Sequence, residues 1–123
     1  MKNVIRSLIF LFAIGTASTA FAQEAKVISL KQVPGEFEKT ELKLEAGSPY
    51  VFEIHNDGVD HEVGFVLAPK GKTEQEHHIK NAYVQETVAD GKSSRSKEVV
   101  LEKGEYVYFC PLNPTPQYTV VVN

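Results

Sequence analysis

The fold class predicted here is all-β: a two-sheet antiparallel sandwich or barrel of about eight short strands with one short helix. Three observations carry it. Apolar residues recur with a period of two rather than 3.6 over most of the chain. Clusters of Gly, Pro, Asn and Asp interrupt that alternation at short intervals. Once an export signal is set aside, the remaining length suits one domain and not two.

The export signal occupies residues 1–22. Lys2 and Arg6 form a basic start, Leu8 to Ile14 an apolar run, and Ala20 and Ala22 flank Phe21 as small residues at a cleavage site. A membrane anchor would need about 20 apolar residues to cross the hydrocarbon. This run breaks at Gly15, Thr16, Ser18 and Thr19, so cleavage after Ala22 is expected, with no membrane insertion afterwards. Removing 22 of 123 residues leaves 101, a single domain over 23–123. The expected location is periplasmic or secreted.

Strands follow in order. Lys26–Leu30 opens the domain. Leu42 and Leu44 alternate with charged neighbours, and Tyr50, Phe52 and Ile54 share one parity. His61, Val63, Phe65 and Leu67 share another, which predicts an inward His61 at a strand end. Tyr83–Val88, Lys97–Leu101, Tyr106–Cys110 and Tyr118–Val122 complete the set. Val33-Pro34-Gly35, Ala46-Gly47-Ser48-Pro49, Asn56-Asp57-Gly58, Pro69-Lys70-Gly71, Asp90-Gly91 and Lys103-Gly104 supply the turns. One segment departs from period two. Thr73 and Glu76 have capping-box spacing, and Ile79 with Tyr83 makes a four-residue apolar step, so a short helix is predicted over Thr73–Lys80.

Charge and cysteine usage narrow the function. Losing Lys2 and Arg6 takes the 13 basic residues to 11 against 16 acidic ones, a net charge of −5. Binding to nucleic acid or an anionic bilayer through phosphates needs clustered Lys and Arg, and no such cluster stands in the chain. Cys110 is the only cysteine, so no internal disulfide forms. In an oxidising compartment a lone thiol must be buried, metal-bound or reactive. Cys110 ends a strand just before a loop stiffened by Pro111, Pro114 and Pro116. Of the four histidines, His55 reads as a surface or turn residue. His77 and His78, following Gln75 and Glu76, describe a solvated helix face as readily as a ligand pair. An inward His61 equally describes a ligand or a histidine bonded to a loop carbonyl.

At these residues the chain resembles the cupredoxins, the blue-copper fold of plastocyanin and its relatives. In that family an apolar strand, an Asn, a short turn and a His supply the first copper ligand, and Val51–Leu67 matches with Asn56 and His61. The strand leading to the thiolate ligand has a Gly-x-Tyr-x-aromatic-aromatic-Cys pattern, which Gly104, Tyr106, Tyr108, Phe109 and Cys110 fit. The resemblance implies a Greek-key β-sandwich, copper as cofactor, electron transfer or copper handling without enzymatic activity, and an exported redox or copper-handling partner. Family members usually follow the Cys with a second His and then a Met. Here the loop runs Pro111, Leu112, Asn113, Pro114, Thr115, Pro116, Gln117, Tyr118, with Asn113 where the His would fall and Tyr118 near the axial position. The implied ligand set is therefore altered: His61 and Cys110, with Asn113 or His78 filling in. Two other functions compete with copper binding. One is a metal-free interaction domain that binds another exported protein. The other is a thiol enzyme with Cys110 as nucleophile, His61 as base and Asn113 as orienter, which lacks a glycine-rich turn or helix start to stabilise an oxyanion.

Overall fold

The computed structural model describes residues 24–123, so the export signal expected over 1–22 lies outside the described residues. Among the described residues nine strands form: β1 (Lys26–Val33), β2 (Glu36–Phe37), β3 (Glu41–Leu44), β4 (Pro49–Asn56), β5 (Val66–Pro69), β6 (Ser93–Arg95), β7 (Val99–Val100), β8 (Gly104–Phe109) and β9 (Tyr118–Val122). One sheet has the order β2-β1-β4-β6, with β7 also pairing β4, and the other the order β3-β9-β8-β5. The chain leaves the first sheet after β2, adds β3 to the second and returns as β4 beside β1, giving a Greek-key sandwich. That crossing makes β1–β4 and β3–β9 parallel where purely antiparallel pairing was expected.

Alternation builds the core. β4 reads buried and half-buried in turn, β3 exposed and buried, β9 buried and half-buried. Between the sheets, Phe37 meets the edges of Phe65, Tyr108 and Tyr118 at centroid distances of 6.1, 5.1 and 5.7 Å. These are edge-to-face packings that add to the gain from burial. The buried hydroxyls find partners: Tyr118 Oη accepts the Phe37 N–H at 3.2 Å, and Tyr108 donates to the Lys39 carbonyl. Burial pushes the Tyr108 phenol far above its ordinary pKa.

Two local expectations are corrected. Thr73–Lys80 is not an α-helix but leads into two 3-10 turns, Gln75–His77 and Lys80–Ala82, and no side chain caps the first. To continue as an α-helix, Ile79 N–H would have to bond four residues back. Instead it donates to the Leu67 carbonyl on β5 at 2.8 Å, which flattens the segment against the sheet. That cover lies over β5, whose Val66, Leu67 and Ala68 are all buried, while Val63 is paired with Val88 and Gly64 faces Pro111 and Leu112, so period two fades where a strand is covered on both faces. Tyr83–Val88, expected as a strand, makes only the isolated bridges Val84↔Ser96 and Val63↔Val88.

Candidate functional site

One pole of the sandwich gathers the ends of β1, β4 and β8 and the starts of β5, β6 and β9. β8 points Tyr108 into the core and Phe109 outward, which turns Cys110 inward again, 3% exposed. The loop that follows folds back at once. Cys110 N–H donates to Thr115 Oγ1 at 3.1 Å, and the Asn113 N–H donates to Cys110 Sγ at 3.1 Å. A second amide reaches the sulfur from another segment, Gly64 N–H at 3.3 Å.

These contacts belong to a closed circuit. The Gly64 carbonyl accepts from Gln32 Nε2 at 2.6 Å, and Gln32 Oε1 accepts from Asn113 Nδ2 at 3.1 Å. The Asn113 backbone then returns to the sulfur. Cys110, Gly64, Gln32 and Asn113 thus tie β1, the chain entering β5 and the proline loop into one ring. Asn113 also anchors the β1–β2 turn: Nδ2 donates to the Val33 carbonyl at 3.1 Å, and Oδ1 accepts the Gly35 N–H at 3.0 Å. Gly35 has φ of 80°, the left-handed value a Pro-Gly type II turn requires at its second central residue. Gln32 is 0% exposed and Asn113 3%. Buried polar groups are stable only when paired, and here each is paired. A separate staple shapes the neighbouring turn. Asn56 Nδ2 donates to the carbonyls of His61 and Val88, both at 3.0 Å, and Asn56 Oδ1 accepts the Val59 N–H at 2.9 Å.

Of the residues singled out from the sequence, the structure brings Cys110 and Asn113 together, and among the described residues the histidines' hydrogen bonds go to other partners. The inward orientation expected for His61 is corrected: it lies outside β5, exposed, with Nδ1 donating to the Glu62 carbonyl at 3.0 Å. The side chain flanking the amide that touches the thiol is Val63, 0% exposed. His78 lies on the outer face of β8, its ring 6.2 Å from that of Phe109. Its Nε2 donates to the Thr73 carbonyl at 2.9 Å, and its Nδ1 bonds the Tyr83 hydroxyl at 2.7 Å. His77 sits beside Glu76, and His55 bonds Ser93 Oγ through Nδ1. Gln32 was not anticipated as part of a site. Its signal was a polar residue in phase with Ile28 and Leu30 on β1.

The family model of the cupredoxin-like domain matches residues 5–122. The chain belongs to the cupredoxin family. No curated protein sequence matches it. Among solved structures, this cupredoxin is similar to auracyanin A, a "blue" copper protein of Chloroflexus aurantiacus, at 17% identity over 81% of this chain and 100% of that one, with a TM-score of 0.66. It is similar to auracyanin B at 16% identity over 85% and 93%, TM-score 0.67. It is also similar to an azurin of Methylomonas sp. strain J at 13% identity over 81% and 99%, TM-score 0.60. At such identities the likeness is one of fold.

The cupredoxin-like fold suggests copper binding or electron transfer, and the donors present decide whether the pole suits a copper ion. A type 1 centre needs two imidazoles and a thiolate in one plane with a weak axial donor. Among the described residues, no three of His, Cys, Asp and Glu gather where one metal ion could take them. The side-chain amide of Asn113 is taken up by Gln32, Val33 and Gly35. Tyr118, near the expected axial position, is a core ring bonded to Phe37 N–H. These residues do not fit a type 1 copper ion.

Beside the thiol lies a different feature, an apolar hollow of about 260 Å³ lined by Gly64, Phe65, Val66, Tyr83, Val84, Thr87, Pro111 and Leu112. Leu112, immediately after the cysteine-proline pair, is 49% exposed.

Proposed function

We propose that the protein is an exported, non-enzymatic cupredoxin-like binding module, periplasmic or secreted, that docks another exported protein through the pole around Cys110. What carries this reading is that the polar side chains packed around the thiol are engaged with one another, while an apolar hollow and a half-exposed leucine open to solvent beside it. A rigid polar ring under an exposed apolar patch suits binding, because a pre-ordered loop loses little entropy on docking. A photo-crosslinking residue at Leu112 is expected to give one discrete adduct in cells exporting the protein, suppressed by excess unlabelled protein. The same residue at Lys43, on the exposed face of β3, should give none. Equal adduct patterns from both positions would overturn the reading.

A second reading keeps copper, bound through Cys110 and His61 for electron transfer or copper handling with an exported redox or copper-handling partner. The observation in its favour is the pair of amides donating to the sulfur, an outer-shell arrangement that a metal-bound thiolate would also use. Cu(II) added to the purified protein would then produce a thiolate-to-copper absorption that Cys110→Ala lacks.

A further inference from the structure

Two of the chain's three aspartates precede glycine, Asp57-Gly58 and Asp90-Gly91. Both pairs lie in exposed turns with the glycine in the left-handed region, at φ of 91° and 79°. Aspartyl-glycine is the pairing most prone to isomerise, because glycine carries no side chain to keep its own nitrogen from the preceding carboxyl carbon. The reaction needs that nitrogen to give up its proton. Here the two turns hold each other's nitrogens. Gly58 N–H donates to the Asp90 carboxylate at 2.9 Å, and Gly91 N–H donates to the Asn56 carbonyl at 2.9 Å. Asn56 N–H donates to the Lys92 carbonyl at 3.0 Å, which ties the turns along their backbones as well. The two holds are unequal, since Gly58 is capped by a charged acceptor. A carboxylate makes the stronger hydrogen bond, and its negative charge opposes an amide anion forming beside it. Asp57 N–H in turn donates to the Gln32 carbonyl at 2.8 Å, joining this turn to the strand that supplies the buried circuit.

We propose that Asp57 is a covalent modification site, an isoaspartate position that the Asp90 carboxylate keeps closed while the two turns stay docked. When they part, Gly58 N attacks Asp57 Cγ. A C–N bond forms, and the carboxyl's hydroxyl leaves with the amide proton as water, giving a five-membered succinimide. Water then adds back; the Asp57 side chain is 56% exposed, so solvent reaches it. Opening at the Asp57 α-carbonyl leaves the main chain running through Cβ and Cγ, with composition unchanged and nothing oxidised or reduced. The extra methylene carries Gly58 N–H out of register with Asp90, so a modified turn does not relock.

The test incubates the purified protein at neutral pH, native and in urea, and digests it with trypsin, which places Asp57 in the peptide of residues 44–70 and Asp90 in that of 81–92. Chromatography with electron-transfer fragmentation then measures isoaspartate in each peptide. The native protein is expected to accumulate it at Asp57 about tenfold more slowly than the urea-unfolded chain, or slower still. Asp90→Ala should speed the native reaction at Asp57 about tenfold. Hydrogen exchange at the Gly58 amide passes through the same amide anion and should rise by the same factor. Asp90→Asn, which keeps an acceptor oxygen without the charge, should fall between the two in Gly58 exchange. Asp57→Glu should end the reaction, because a glutamate would have to close a larger, slower ring. Native wild type isomerising at Asp57 as fast as the unfolded chain would overturn the proposal with no variant needed. So would an Asp90→Ala protein that stays folded by its melting curve yet keeps the wild-type rates of Gly58 exchange and Asp57 isomerisation.

Discussion

Replacing Gln32 by leucine removes one side chain from the buried circuit while keeping its volume roughly constant. Two partners lose a bond: the Gly64 carbonyl, which accepts from Nε2 at 2.6 Å, and Asn113 Nδ2, which donates to Oε1 at 3.1 Å. A buried polar group left unpaired costs about 1–3 kcal/mol. Asn113 Nδ2 keeps its bond to the Val33 carbonyl, so its share falls at the low end, while the 0% exposure of Gln32 means that water does not readily replace the lost donor at Gly64. The sum is about 2–4 kcal/mol. For a domain of this size each kcal/mol moves the melting temperature by roughly 4–8 °C, so Gln32→Leu is expected to melt roughly 8–32 °C below wild type. The assay is thermal and urea unfolding of wild type, Gln32→Leu, Asn113→Leu and the double variant. The two single losses should be strongly non-additive, because the double variant no longer strands the Gln32–Asn113 partners. A Gln32→Leu melting temperature within 2 °C of wild type, or strictly additive losses, would refute the idea that the circuit holds the pole together.

Three more outcomes follow from the same geometry. Cys110 is 3% exposed, so Ellman's reagent should label it only as fast as the domain opens, with prompt reaction in guanidinium; fast labelling of the native protein would contradict its burial. Adding the missing residues, Asn113→His with Tyr118→Met, should give no intense visible band with Cu(II), because His61 remains exposed and Val63 flanks the thiol; a blue product would contradict the placement of His61. The hydrogen bond from Arg95, helped by one from Ser29, holds the Glu53 carboxyl below its ordinary pKa, so Glu53 contributes stability above the ordinary glutamate pKa that is lost as pH falls through the depressed folded value. Carbon-detected titration should show Arg95→Gln moving that pKa upward, with only a small stability change because the pair is exposed.

Much of the fold was legible because strands exposed on one face print their burial into alternate residues. β9 runs over Tyr118–Val122 as expected, and β8 over Gly104–Phe109 carries the anticipated tyrosine stripe to Cys110. Legibility failed where a second layer intervened. Val63 to Ala68 are all buried, with β5 beneath the 3-10 segment, which hid where β5 begins and let His61 pass for the first inward residue of a strand. The capping-box spacing at Thr73 and Glu76 was a local preference overruled by the tertiary bond from Ile79 to Leu67. At the site, the absence of the second histidine and methionine after Cys110 was plain in the sequence. What took their place was not, since Gln32 lies 78 residues upstream of Cys110 and joins the pole only through β1's register with β4, Gln32 opposite Asn56. Its inward phase with Ile28 and Leu30 was the available clue. A polar side chain in an apolar row must have a buried partner, and the partner is Asn113.

Amide hydrogen bonds hold the pole around Cys110 together, and on the proposed reading no metal ion joins them. Competition for Cu(I) against a colorimetric chelator of known affinity tests that claim most directly, with wild type and Cys110→Ala side by side. Both proteins are expected to leave the chelator's copper untouched. Stoichiometric withdrawal of one Cu(I) by wild type but not by Cys110→Ala would contradict the claim and restore copper to the site.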